Sequence, residues 1–281
     1  MSTATGPGEP TVQVAGRWAL VVGASRGIGA AVSERLAADG FRLILVARDR
    51  EDLERTGRRL PGSGHRVLSA DLTSEAGRTR LLDGIVGSAP VSVVVLGLRI
   101  RRPWTRLVAT SPTDLDTQIS ENLGYVMALM AALVPAQRDA GFGRWIAISS
   151  AVAAQGGQGQ GAYVAQKSAL EGLMRTLALE EGLNGITANV VAPGFIRTEG
   201  TVAYPTEVFE RLSAANALGR VGHPQEVAHV VSMLAHPDGG FVTGATIPVS
   251  GGVELGWAIG EAARGAFHRP PLSHGVAADA G

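Results

Sequence analysis

The chain contains no cysteine, which excludes disulfides, thiolate metal sites and a cysteine nucleophile and leaves the redox compartment open. It also lacks a charge imbalance. Lysine plus arginine and aspartate plus glutamate number 25 each, so no global field favours a nucleic acid, a membrane surface or a polyanion. Partners must be recognised locally. No run of about 18 uninterrupted apolar residues suggests a membrane span, and Met1 to Pro10 has neither the basic start nor the apolar stretch of a signal peptide. A cytoplasmic protein without membrane or nucleic-acid partners is expected. Histidines stand at 65, 223, 229, 236, 268 and 274 without compact ligand spacing, so no metal is expected either.

What the sequence does hold is alternation. With 281 residues, 45% of them hydrophobic, the chain can build one large α/β core. Strand-like runs fall at Trp18 to Val22, Leu43 to Ala47, Val67 to Ser69, Val91 to Leu96, Trp145 to Ser149 and Thr187 to Val191. Helical stretches lie between them, at 28–39, 50–60, 74–87, 112–138 and 161–182. Runs such as Leu43-Ile-Leu-Val are apolar on both faces, as strands covered by helices on each side must be. The expected fold is α/β, a single-domain Rossmann-type doubly wound parallel sheet over residues 16–255. Residues 1–15 read as a flexible leader, and 256–281 as a partly disordered extension.

The first strand runs into Gly23-Ala-Ser25-Arg26-Gly27-Ile28-Gly29 and then a helix. Glycines permit a tight turn and close backbone approach, and a helix N-terminus offers unpaired N–H groups to a pyrophosphate. The second strand ends at Ala47-Arg48 with no acid to meet a ribose 2′-hydroxyl. Arg48 and Arg26 would instead attract a 2′-phosphate, which favours NADP(H). Asp71-Leu72 follows the third strand, where the carboxylate either meets an adenine amino group or serves a helix cap.

Tyr163 and Lys167 stand one helical turn apart and follow Ser150 closely. An ammonium beside a phenol favours loss of its proton, so the trio reads as a proton-transfer site. These residues, with Asn122 and the glycine turn, fall in the order and spacing that resembles the short-chain dehydrogenase/reductase family in its single-domain form. The resemblance covers residues 16–253, and its nearest look is to 3-oxoacyl-carrier-protein reductases and ketone reductases related to them. It implies that Tyr163 is the general acid or base and that Lys167 supports it and holds ribose hydroxyls. By the same resemblance Ser150 orients the carbonyl, and the Asn122 backbone carbonyl holds a relay water. Pro193-Gly194-Phe-Ile196-Arg-Thr198 would clasp the nicotinamide carboxamide. Phe241-Val-Thr-Gly244 with Ser250-Gly-Gly252 looks like the family's closing strand. The implied partners are a small carbonyl or alcohol substrate and further copies of the chain, as a homotetramer or homodimer paired through the helices at 112–138 and 161–182.

Several positions depart from the family pattern. Val94-Val95-Leu96-Gly97 replaces the usual Asn-Asn-Ala-Gly beside the cofactor, which puts the local geometry in doubt. Ser250 replaces an aspartate. Gly141 and Asn184 fall where carrier-protein reductases tend to be basic, which weakens a carrier-bound substrate. A catalytically silent NADP(H)-binding sensor or scaffold is the alternative, and an enoyl reductase is disfavoured because that group spaces its Tyr and Lys more widely. Substrate selectivity is expected from the loops 99–106, 151–161 and 199–212. The first is rich in arginine, the second has glutamines among flexible glycines, and the third carries Tyr204 and Phe209 as a lid or as packing.

Overall fold

Both faces of the apolar runs are covered, and that is why they form strands. The computed structural model describes residues 14–85, 90–98, 104–202 and 204–255. In these, seven strands are found: Trp18–Val22 (β1), Arg42–Ala47 (β2), Arg66–Ser69 (β3), Val91–Leu96 (β4), Gly143–Ile148 (β5), Ile186–Pro193 (β6) and Thr246–Val249 (β7). All pairs are parallel, in the order β3-β2-β1-β4-β5-β6-β7. The helices are Gly27–Ala38 (α1), Arg50–Gly57 (α2), Glu75–Ile85 (α3), Pro112–Asp139 (α4), Val152–Gln155 (α5), Gly161–Glu181 (α6), Thr206–Ala214 (α7) and Pro224–Ala235 (α8). The doubly wound parallel sheet is therefore present as expected.

Successive side chains of each strand point to opposite faces, and each face has its own core. Leu20, Val22, Val94 and Leu96 pack with Leu81 of α3, Tyr125 and Leu129 of α4, and Leu170 and Met174 of α6. Ala19, Val21, Val93 and Val95 pack with Val32 and Leu36 of α1, Leu53 of α2, and Val227 and Val231 of α8. By length and composition α4 could cross a membrane, but its Tyr125–Leu133 stripe is core. One polar device crosses this core: Trp145 Nε1 donates to Gln137 Oε1 at 2.7 Å, and Gln137 Nε2 donates to the Val91 carbonyl at 3.0 Å. It ties β5, α4 and β4 together. Buried polar groups persist where their partners are supplied in this way.

Helix ends are set by local chemistry. The Asp49 side chain accepts the Asp52 N–H to start α2, and Ser111 accepts the Asp114 N–H ahead of Pro112 to start α4. At α8, Pro224 follows His223, whose N–H donates to Glu226 Oε2 at 2.8 Å.

Several expectations need correction. Helices α5 and α7 lie in the loops expected at 151–161 and 199–212, and α8 lies in a stretch for which no element is expected. The segment 241–244 is not part of the closing strand. It is a turn held by Asn189, whose side chain donates to the Val242 carbonyl and accepts the Ala245 N–H, while Phe241 is fully exposed. β7 itself is an edge strand, where Pro248 is tolerated for want of a second neighbour. Of the expected leader only Val14 and Ala15 are described, and Val14 is buried. The extension 256–281 and Arg99, Arg101 and Arg102 lie outside the described residues.

Candidate active site

The strand order reverses between β1 and β4, and the carboxyl ends there form the crevice in which such folds bind ligands. Two glycines let those ends meet. Gly23 takes φ +82° and donates to the Val46 carbonyl at 2.8 Å; a Cβ on it would stand 2.7 Å from the Gly97 carbonyl oxygen. Gly97 donates to the Val22 carbonyl at 3.0 Å, and its own Cβ would stand 2.8 Å from that oxygen. The departure at Val94-Val95-Leu96 leaves this geometry intact: the three residues pair in register with Leu20, Val21 and Val22 and are buried in the two cores.

Gly27 opens α1 at φ +56°, and its N–H donates to Glu199 Oε2 at 3.1 Å. A carboxylate thus rests on the helix N-terminus, where an anion is favoured. Arg26 and Arg48 are exposed on the neighbouring loops. The Ser25 carbonyl accepts Thr56 Oγ1 at 3.1 Å, which fixes the turn to α2. Asp71 is engaged locally, its Oδ1 accepting the N–H and hydroxyl of Thr73 at 3.1 and 2.8 Å. The cap of α3 is Ser74, whose Oγ accepts the Gly77 N–H, so Asp71 is not that cap. The Leu72 side chain lies in the core, leaving its backbone as the part that faces the crevice end of β3.

The segment after β6 is built as a clasp. The Gly194 N–H donates to the Val249 carbonyl, and a Cβ at Gly194 would stand 2.8 Å from Ser250 Cα. Ser250 thus contributes close packing there. Ile196 bridges Gly222, and the Thr198 N–H donates to the buried Thr201 hydroxyl at 2.8 Å. Phe195 stacks with Tyr204 and meets Phe209 edge-on at centroid distances of 6.0 and 5.5 Å, with the Arg197 guanidinium over Phe209. Tyr204 and Phe209 therefore do pack, against the clasp itself. On the other side, Thr105 donates to the Gly159 carbonyl at 2.9 Å and bridges Gln160, so the glycine- and glutamine-rich loop is pinned rather than free.

The residues expected to transfer a proton, Ser150, Tyr163 and Lys167, come from the end of β5 and from α6. Lys167 is buried, and its Nζ donates to the Ile148 carbonyl at 2.8 Å while lying 5.8 Å from the Tyr163 ring centroid. Ser149 continues the sheet through its N–H to the Val191 carbonyl, and its hydroxyl donates to Glu171 Oε1 at 2.6 Å. Ser150 follows, half-buried, its carbonyl accepting the Ala153 N–H at the start of α5. Asn122 is buried midway along α4, its amide donating to the Gln118 carbonyl at 2.7 Å. Taken alone it would have suited a helix surface; the structure places it inside. Tyr125, one turn on, is fully buried, and desolvation holds its phenol proton far more tightly than usual against a hydrogen bond with the Leu98 backbone. Tyr163, by contrast, is half-buried at the crevice.

Gly141 and Asn184 lie at the other end of the sheet, around the start of β5 and β6, where Arg138 is ion-paired with Glu181. Ser149, Glu171, Glu199 and Thr201 were not among the expected site residues. Glu171 was readable as the acid two turns after Tyr163; the Glu199 contact joins residues 172 positions apart and has no local signal. Among the described residues no cluster of His, Asp and Glu could hold a metal.

Comparison with known proteins agrees with this geometry. A family model described as enoyl-(acyl carrier protein) reductase matches residues 23–254. The chain is 37% identical over 265 residues to the short-chain reductase protein NovJ of Streptomyces niveus, covering 88% of this chain and 99% of that protein. It is 38% identical over 247 residues to (3R)-3-hydroxyacyl-CoA dehydrogenase of Mus musculus, covering 84% and 95%. The crystal structure of a 3-oxoacyl (acyl-carrier-protein) reductase from Agrobacterium tumefaciens C58 with NADP bound superimposes with a TM-score of 0.78 at 28% identity, covering 90% of this chain and all of that one.

Proposed function

Since the chain belongs to the short-chain dehydrogenase/reductase family, we propose that it is an NADP(H)-dependent enzyme that interconverts a ketone and a secondary alcohol, with Tyr163 as the general acid of reduction. The observation that carries this reading is the grip of α6 on the end of β5: Lys167 is buried, lies 5.8 Å from the Tyr163 ring centroid one turn away, and is bonded to the carbonyl of Ile148, two residues before Ser150.

The residues present fit the cofactor. The Gly27 N–H already carries an anionic oxygen, Gly23 and Gly97 let the ends of β1 and β4 close on each other beside the glycine turn, and Arg26 and Arg48 lie on adjacent loops for a 2′-phosphate. The clasp of Pro193, Gly194, Ile196 and Thr198 would hold the carboxamide, and Lys167 the ribose hydroxyls. When bound, the reduced nicotinamide supplies hydride to the carbonyl carbon.

Ser150 donates a hydrogen bond to the carbonyl oxygen, an interaction that strengthens as negative charge develops there. Tyr163 delivers its proton to the same oxygen, and the Lys167 ammonium beside it favours the charge left on the phenol. The Asn122 backbone carbonyl positions a water that returns the proton. Oxidation runs the same steps backwards, with Tyr163 as base.

A 3-oxoacyl or 3-hydroxyacyl group is the substrate class the relatives' names support. Gly141 and Asn184 offer no basic pair for a carrier protein. The description of the matching family model names enoyl reduction; two hydroxyls converging on one oxygen suit a carbonyl better. A cytoplasmic homotetramer or homodimer paired through α4 and α6 belongs to the same proposal, and light scattering tests its mass. The activity is tested by following NADPH absorbance with acetoacetyl-CoA, β-ketoesters and quinones, using wild type and Tyr163→Phe. The variant should bind NADPH normally and not turn over; a variant keeping most of the rate removes Tyr163 from its role.

A further inference from the structure

Lys167 and Glu171 are one turn apart on the helix that carries Tyr163, and they hold two consecutive residues at the end of β5. Lys167 Nζ takes the Ile148 carbonyl at 2.8 Å; Glu171 Oε1 takes the Ser149 hydroxyl at 2.6 Å. Ser150 is the next residue. Its carbonyl accepts the Ala153 N–H as the chain turns into α5, while the Ala151 N–H still donates to the Pro193 carbonyl at 2.9 Å, so backbone bonds to β6 flank Ser150 and the Ser149 side chain adds a tie to α6. Ser149 is buried, with its N–H already committed to Val191 across the sheet.

We infer that Glu171 is a positioning residue: by anchoring Ser149 to α6 it sets the Ser150 hydroxyl relative to the Tyr163 phenol. This rests on the roles proposed for those two residues. The chemistry demands such a device, because both hydroxyls must reach one carbonyl oxygen from different elements, and a misplacement of about 1 Å costs on the order of 100-fold in rate. Lys167 alone holds only a backbone carbonyl two residues before Ser150. The second grip, one residue closer, fixes the rotation of the strand end as well as its height. The attachment of α6 to the sheet does not depend on Glu171, since Leu170, Met174, Leu177 and Ala178 bury that helix in the core. Its removal should therefore misplace Ser150 without unfolding the chain.

The test uses Glu171→Ala, Glu171→Gln and Ser149→Ala in the full chain, with Tyr163→Phe as control. Acetoacetyl-CoA and NADPH are the probes. Glu171→Ala should lower kcat about tenfold or more, with the NADPH Kd within about twofold and Tm nearly unchanged. Glu171→Gln keeps an oxygen that accepts from the Ser149 hydroxyl and should recover most of the rate. Combining Glu171→Ala with Ser149→Ala should add little to either alone, as expected of two residues acting as one unit. The inference is overturned by an alanine variant at wild-type kcat, by failure of the glutamine variant to recover, or by rate loss that merely follows NADPH affinity or Tm. Should wild type reduce nothing, the proposed function fails first. Hydrogen exchange of the amides at 149–151 then decides this point separately: faster exchange in Glu171→Ala, with α6 still protected, supports the anchor, and unchanged exchange removes it.

Discussion

The Glu199 carboxylate and the Gly27 N–H, 172 residues apart in the chain, form a hydrogen bond of 3.1 Å at the first turn of α1. Thr198, the last residue of the clasp, lies against Gly27 as well, its methyl 3.2 Å from where a Cβ would stand. The loop after β6 is thus fastened to the glycine turn by an anion of its own. In the proposed function a cofactor pyrophosphate would take the same N–H, so the two would compete and the Glu199 side chain would swing away.

Glu199→Gln should therefore tighten NADPH binding. A charge at an exposed helix N-terminus is worth about 0.3–1 kcal/mol, which corresponds to roughly a two- to fivefold change in affinity. The gain should shrink as salt rises, because Glu199 is exposed. Calorimetric titration at low and high ionic strength measures it; weaker binding by the variant would show that Glu199 helps the cofactor instead.

Arg48 follows the tip of β2, beside the turn that carries Arg26. Arg48→Ala should raise the NADPH Kd about tenfold, the loss of roughly one charge-assisted hydrogen bond to phosphate, and leave the NADH Kd unchanged. Equal loss for both cofactors would place Arg48 away from the 2′-phosphate, and wild type preferring NADH would undo the argument for both arginines.

Apolar runs at Leu43 and Val93 announce strands buried on both faces, and helical period puts Tyr163 and Lys167 one turn apart on α6, because these signals are local. Elements without such a signal were missed. α7 buries no residue fully; its stripe of Val208, Phe209 and Leu212 is a single turn long and only half-buried, too short to mark a helix among the loop residues around it. The resemblance to the family points 241–244 to the closing strand, yet Asn189 of β6 claims its backbone and makes it a turn. Contacts such as Glu199 with Gly27 depend on the strand order, which no single stretch encodes.

The meeting of Gly23 and Gly97 is a further case where the sheet decides. Gly97→Ala would place a methyl 2.8 Å from the Val22 carbonyl oxygen, which is backbone and cannot step aside. The variant should lose about 1–3 kcal/mol of stability, the usual cost of overpacking, and bind NADPH more weakly because the glycine turn shifts with β1. Thermal melting with and without NADPH checks this. An unaltered melt would mean that β4 ends more loosely than its register with β1 implies.

Glu226 gives the fold a pH dependence whose sign can be worked out. Its carboxylate accepts from the Arg220 guanidinium and from the His223 N–H, with burial opposing and the charge of Arg220 adding a smaller share, and together these lower its pKa from 4.5 to about 2. A carboxylate with a depressed folded pKa contributes stability that is present above its unfolded value and lost as pH falls through the folded one. The window is therefore pH 4.5 down to about 2. The side chain is 39% exposed, so solvent screening keeps the effect small. Its location gives it consequence: the pair holds the start of α8 beside Gly222, which bridges Ile196 of the clasp. Glu226→Gln should melt a few degrees below wild type at neutral pH, and the two melting curves should converge across that window as wild type alone loses its ion pair. Curves that coincide from neutral pH downward would show that Glu226 acts only as a helix cap, by a hydrogen bond that glutamine makes equally well.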